Sequence, residues 1–123
     1  MALDFMLVGP VMGHVRTQAG QELGDETQFF QRPPQALKSL AAGKPKVIAI
    51  DMSHQISPWD FYYFRSAYEL LSEAKRHNIP TIVYASTAEY AARLLHLFPD
   101  RDYTALVTKP WDELVPALRE LAK

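Results

Sequence analysis

Short apolar runs alternate along this chain with longer stretches in which apolar positions recur every three or four residues. Residues 46–50, Lys46-Val-Ile-Ala-Ile, are the densest of the runs, and their β-branched content predicts a strand covered on both faces and central in a parallel sheet. The run stops at Asp51. In an open α/β sheet, chemistry gathers at the carboxyl ends of the strands, so Asp51 stands where a working side chain would be. Asp is equally common as the cap of the turn that follows a strand, and the pattern alone leaves both readings open.

Other elements follow from the same pattern. Residues 4–8 predict a first strand, ended by Gly9-Pro10. Val11, Met12, Val15, Ala19 and Leu23 have helical spacing, with Gly24 as a stop; Gly13 and Gly20 each cost that helix about 1 kcal/mol relative to Ala. Residues 25–32, with Thr27, Phe29 and Phe30, predict a second strand, and Pro33-Pro34 opens a helix that runs to Leu40 and closes at Gly43. After Asp51, Ser57-Pro58 starts a helix running to about His77, with Phe61, Phe64, Tyr68 and Leu71 as its stripe, widened by Tyr63, Ala67, Leu70 and Ala74. Asn78-Ile79-Pro80 stops it, residues 81–84 form a fourth strand, and Ala85, Ser86 and Thr87 follow at the same sheet edge as Asp51. A helix over 87–98, a fifth strand over 104–108 and a last helix over 111–122 complete the pattern. With Asp112 as N-cap, Pro116 falls at the fourth helical position, early enough that its missing N–H is tolerated. The whole reads (βα) five times: a five-stranded parallel sheet with helices on both faces, flavodoxin-like, in one domain spanning 1–123.

Composition removes several function classes. The absence of Cys excludes thiolate catalysis, disulfides and Cys-based metal sites, and fits a reducing cytoplasm. Thirteen basic and fourteen acidic residues, scattered along the chain, give no footprint for nucleic acid or an anionic membrane. The apolar runs fall short of a membrane span, and residues 1–8, with an Asp inside and no basic segment, read as a strand and not as a signal peptide. His14, His54, His77 and His96 lie in separate elements without metal-ligand spacing, so no metal site is expected from them. Gly9 lacks the further glycines of a nucleotide-binding loop, and no cofactor is expected. Ser53, His54 and Asp51 are crowded into one loop without a nucleophile-elbow pattern, which argues against a catalytic triad.

Val-Ile-Ala-Ile-Asp51, then Ile79-Pro80-Thr-Ile-Val, and above all Thr108-Lys109-Pro110-Trp111-Asp112 opening the last helix resemble the response-regulator receiver domain over nearly the whole chain. The resemblance implies that Asp51 holds the phosphoacceptor position and Lys109 that of the paired lysine, and that the Lys109–Pro110 bond is cis. It also implies that the segments 87–98, 104–108 and 111–122 form the surface for a protein partner or a homodimer, with Tyr90, Tyr103 and Trp111 as apolar anchors. The departures are specific. Where the family carries its Mg²⁺-binding acidic pair, this chain has Gly9-Pro10, which supplies no carboxylate oxygen. The switch hydroxyl position falls on Ala85, with Ser86 one residue late, and the aromatic expected before the lysine is Leu106.

These residues point to a degenerate, pseudo-receiver type domain: a cytoplasmic signal-transduction module that is not an enzyme and works by protein contact without phosphorylation. One alternative keeps Asp51 as a genuine phosphoacceptor. Another is an anti-sigma-antagonist-like regulatory domain, because Ile50-Asp51-Met52-Ser53 before a helix is also similar to that family, although Phe61 and Tyr62 stand where its phosphorylated Ser is expected. A small flavodoxin-like enzyme is a third. Trp59, Phe61, Tyr62, Tyr63 and Phe64 are more aromatic than one helix face buries, which offers a second surface for a partner.

Overall fold

The computed structural model describes residues 4–9, 27–51, 60–85, 105–108 and 114–123. Among them run strand β1 (Phe5–Val8), β2 (Thr27–Phe30), helix α1 (Pro33–Ala42), β3 (Val47–Asp51), α2 (Asp60–Arg76), β4 (Thr81–Ala85), β5 (Ala105–Thr108) and α3 (Leu114–Leu121). The strands form one parallel sheet in the order β2-β1-β3-β4-β5. The helices expected over 11–23 and 87–98 lie outside the described residues, as does the start of the one expected from Ser57.

Strand β3 is buried along its whole length, as its unbroken apolar run requires of a strand covered on both sides. Successive side chains alternate between two cores. Met6 and Val8 of β1, Ile48 and Ile50 of β3 and Val83 of β4 face α1 and α2. Phe5 and Leu7, Val47 and Ala49, and Ile82 and Tyr84 face α3, whose Leu114, Val115 and Leu118 close that side. Full burial of one such aliphatic side chain contributes about 1.5–3 kcal/mol, so the central strands supply much of the driving force. β2 lies at the edge of the sheet and is accordingly half exposed, with Gln28 in solvent.

Each described helix is shaped by its local sequence. Pro33 occupies the first turn of α1, where it gives up no helical hydrogen bond, and the Arg32 N–H donates to Gln35 Oε1 at 3.4 Å. Gly43 ends α1 in an extended conformation (φ −177°) with open space where a Cβ would stand, so the stop does not depend on glycine. The buried face of α2 is Ala67, Leu70, Leu71 and Ala74, all with no exposure, while Tyr68 packs at its margin. Alanines and leucines share that face, and Ala36 and Leu40 of α1 belong to the same core. α2 closes with Asn78 in the left-handed region (φ 59°): the Ile79 N–H reaches the Ala74 carbonyl at 2.9 Å and the Asn78 N–H the Lys75 carbonyl at 3.1 Å. That pair of bonds is the Schellman motif, and Ile79 and Ala74 share the core beneath it. The short turn to β4 follows, locking Ile48 to Pro80 through an N–H to carbonyl bond of 3.1 Å.

Candidate functional site

The sheet order makes β1 a branch point: the chain first moves outward to β2 and then crosses back to place β3 on β1's other side. Ligands of open α/β sheets sit at such a switch point, outside the carboxyl ends of the strands. Here that edge is formed by Gly9 after β1, Asp51 closing β3, Ala85 closing β4 and Thr108 closing β5.

Asp51 is the last residue of β3 and has no solvent exposure. Its register partner on β4 is Tyr84, which is also fully buried. Burial pushes the Tyr84 phenol up to about 12, and the negative charge of Asp51 adds to the rise, since a second negative charge beside a buried carboxylate is disfavoured. Tyr84 is the one site residue that sequence reasoning passed over. Its signal was a polar tip inside a β-branched run, but its meaning depends on the register that sets it opposite Asp51.

Val8 pairs with Ile50, so Gly9 stands one residue further along, beside Asp51. Gly9 is buried and has φ 129°, a conformation glycine adopts readily and other residues rarely. Its N–H donates to the Phe30 carbonyl at 2.7 Å, tying the end of β1 to the end of β2.

Ser86 and Lys109 lie outside the described residues, and so does the Lys109–Pro110 bond. They follow directly on Ala85 and Thr108, which are register partners. Ser53, His14, His54 and His96 are likewise outside the described residues, as are Tyr90, Tyr103 and Trp111. His77 is at the opposite edge of the sheet, in the turn after α2, where its ring nitrogen meets Glu73 Oε1 at 3.1 Å. Among the described residues no group of three or more His, Cys, Asp or Glu side chains is placed to hold a metal ion. Mg²⁺ demands an octahedral shell of hard oxygens, and Gly9 brings no side-chain oxygen to the position beside Asp51, so the described residues do not fit that ion.

Compared by sequence, the chain matches no protein-family model, and no curated protein sequence matches it. Solved structures do resemble it. The receiver domain of NtrX from Brucella abortus aligns with a TM-score of 0.68 and 20% identity, over 97% of this chain and 98% of that one. The chain has the fold of response-regulator receiver domains. The receiver domain of the Francisella response regulator 1452 aligns with a TM-score of 0.66 at 20% identity, covering 97% of this chain and 96% of that one. TrrA from Thermotoga maritima, solved in complex with Mg²⁺-BeF, gives 0.64 and 21% over 96% and 98%. In a longer NtrX chain from Brucella abortus in complex with ADP, the match covers 99% of this chain but spans only 27% of that one, with a TM-score of 0.68 and 21% identity. The receiver fold thus places Asp51 at the carboxyl edge of its central strand, with Tyr84 and Gly9 as neighbours on either side.

Proposed function

We propose that this chain is a degenerate receiver domain, a signal-transduction module that acts through protein contacts without being switched by phosphorylation. The observation that carries the reading is Gly9: a buried glycine at positive φ stands beside Asp51 where the receiver family has a Mg²⁺-binding carboxylate. Phosphoryl transfer to a receiver Asp relies on the metal to neutralise charge on the transferred group, so a site without those ligands has lost its main source of transition-state stabilisation. The full burial of Asp51 supports the same reading, because an in-line attack needs access to the carboxylate.

In this proposal five βα units make up a single domain over 1–123, cytoplasmic and without enzymatic activity. Asp51 and Lys109 persist as a structural pair, and Ser86 no longer serves as a switch hydroxyl. A protein partner, or a second copy of the chain, docks on the face made by 87–98, 104–108 and 111–122. The described parallel sheet and the receiver folds of the solved relatives support the architecture over the anti-sigma-antagonist alternative. A second reading, in which Asp51 accepts phosphate, is favoured by one observation, its position as the final residue of the central strand.

Intact-mass spectrometry after incubation with acetyl phosphate and Mg²⁺ separates the two. The expected result is no added phosphoryl mass. An adduct that maps to Asp51 and disappears in Asp51→Asn establishes the second reading.

A further inference from the structure

Gly9 departs from the receiver pattern in its side chain, and its backbone is in a conformation that residues other than glycine rarely adopt. At φ 129° an L-residue's Cβ crowds the neighbouring peptide, and only glycine populates this region at no steric cost. The Gly9 N–H donates to the Phe30 carbonyl of the edge strand β2 at 2.7 Å, which fixes the peptide plane from which φ is measured. A residue at position 9 that relaxed to negative φ, with that peptide plane held in place, would redirect the chain that follows it. Pro10 follows, and the residue before proline is itself restricted in ψ, which narrows the ways the segment could rearrange.

We infer that the loss of the metal site is fixed in the backbone at Gly9, so that a carboxylate returned to position 9 costs stability and does not restore Mg²⁺ binding. This inference rests on the degenerate-receiver reading for its metal half, while its backbone half stands on the geometry alone. The Gly9 N–H is a clasp between β1 and β2, and a side chain placed at position 9 would be carried on a backbone that strains it.

The test compares wild type, Gly9→Ala and Gly9→Asp by thermal melting and by calorimetric titration with Mg²⁺. Both variants should melt roughly 5 °C or more below wild type, by similar amounts, because the penalty comes from any Cβ and not from the charge. Gly9→Asp should bind Mg²⁺ no more tightly than wild type. A Gly9→Ala variant that melts with wild type overturns the inference, and so does sub-millimolar Mg²⁺ binding that appears in Gly9→Asp alone. If Gly9→Asp does not fold, the melting of the milder Gly9→Ala decides. Sub-millimolar binding by wild type would instead refute the degenerate-receiver reading, and the melting comparison, which contains no metal, would still decide the backbone claim.

Discussion

Tyr84 is the described residue whose chemistry is most altered by where the fold puts it. Its phenol ordinarily titrates near 10 and here is pushed up to about 12 by burial and by Asp51. A phenol with a raised folded value stabilises the fold as long as it stays neutral in both states, so its contribution is complete below pH 10. Above that the unfolded chain ionises first, and the contribution is lost as pH rises through 12. Wild type should therefore lose melting temperature more steeply than Tyr84→Phe between pH 10 and 12, with the two curves parallel at neutral pH. Parallel curves across the alkaline range would show that Tyr84 does not sense Asp51 or its own burial. This residue also marks the limit of what could be read from the chain. Asp51 was legible as the carboxylate that ends a buried run, because the fold imposes that pattern locally. Its pairing with Tyr84 was not, since register between β3 and β4 is set by packing across the sheet and leaves no trace in either strand alone.

At the scale of elements, buried area decides which changes matter. Leu70 sits without exposure on the face of α2 that meets the sheet and α1. Leu70→Ala should cost about 2–5 kcal/mol, from lost burial and the cavity left between layers. Pro116, although inside α3, is exposed and lies in the early part of the helix, and Pro116→Ala should change stability by about 0.5 kcal/mol or less. Chemical denaturation of the two variants checks both; a comparable loss in each would mean that Pro116 shapes α3 in a way its exposure does not reveal. The strands and helices were largely legible because parallel sheets demand continuous apolar runs while the covering helices demand stripes. In the stripe of α2, Ala67, Leu70, Leu71 and Ala74 are buried as the spacing indicates, while Tyr68 is only partly buried against them, because helical spacing does not distinguish the rim of a contact from its centre.

For the molecule as a whole, a domain released from a phosphorylation switch should present its binding face at all times. On the degenerate-receiver reading no bistable element is left to bias, and no binding-competent conformation is held in reserve. Association, as self-assembly or with a partner, should then be the same with and without acetyl phosphate and Mg²⁺ in size-exclusion chromatography with light scattering. Charge reversal at Arg93, a basic residue in the 87–98 segment of the proposed docking face, combined with Tyr103→Ala should abolish it while leaving circular dichroism and melting nearly unchanged. If the double variant associates as before, the aromatic-rich stretch 59–64 becomes the leading surface.

The position of β1 inside the sheet has a consequence for how the chain is made. Phe5 to Val8 leave a ribosome before either neighbour of their strand, Thr27 to Phe30 on one side and Val47 to Ile50 on the other. Parallel neighbours cannot be supplied by a tight hairpin, so the strand that ends in the clasp at Gly9 is synthesised before both its partners and seated late. Until β3 emerges, an apolar segment destined for the centre of the protein has no partner on one side, which is the condition under which nascent chains engage chaperones or one another. Asp4 and Lys46, which pair at 3.4 Å beside the amino ends of β1 and β3, meet only when that wait is over.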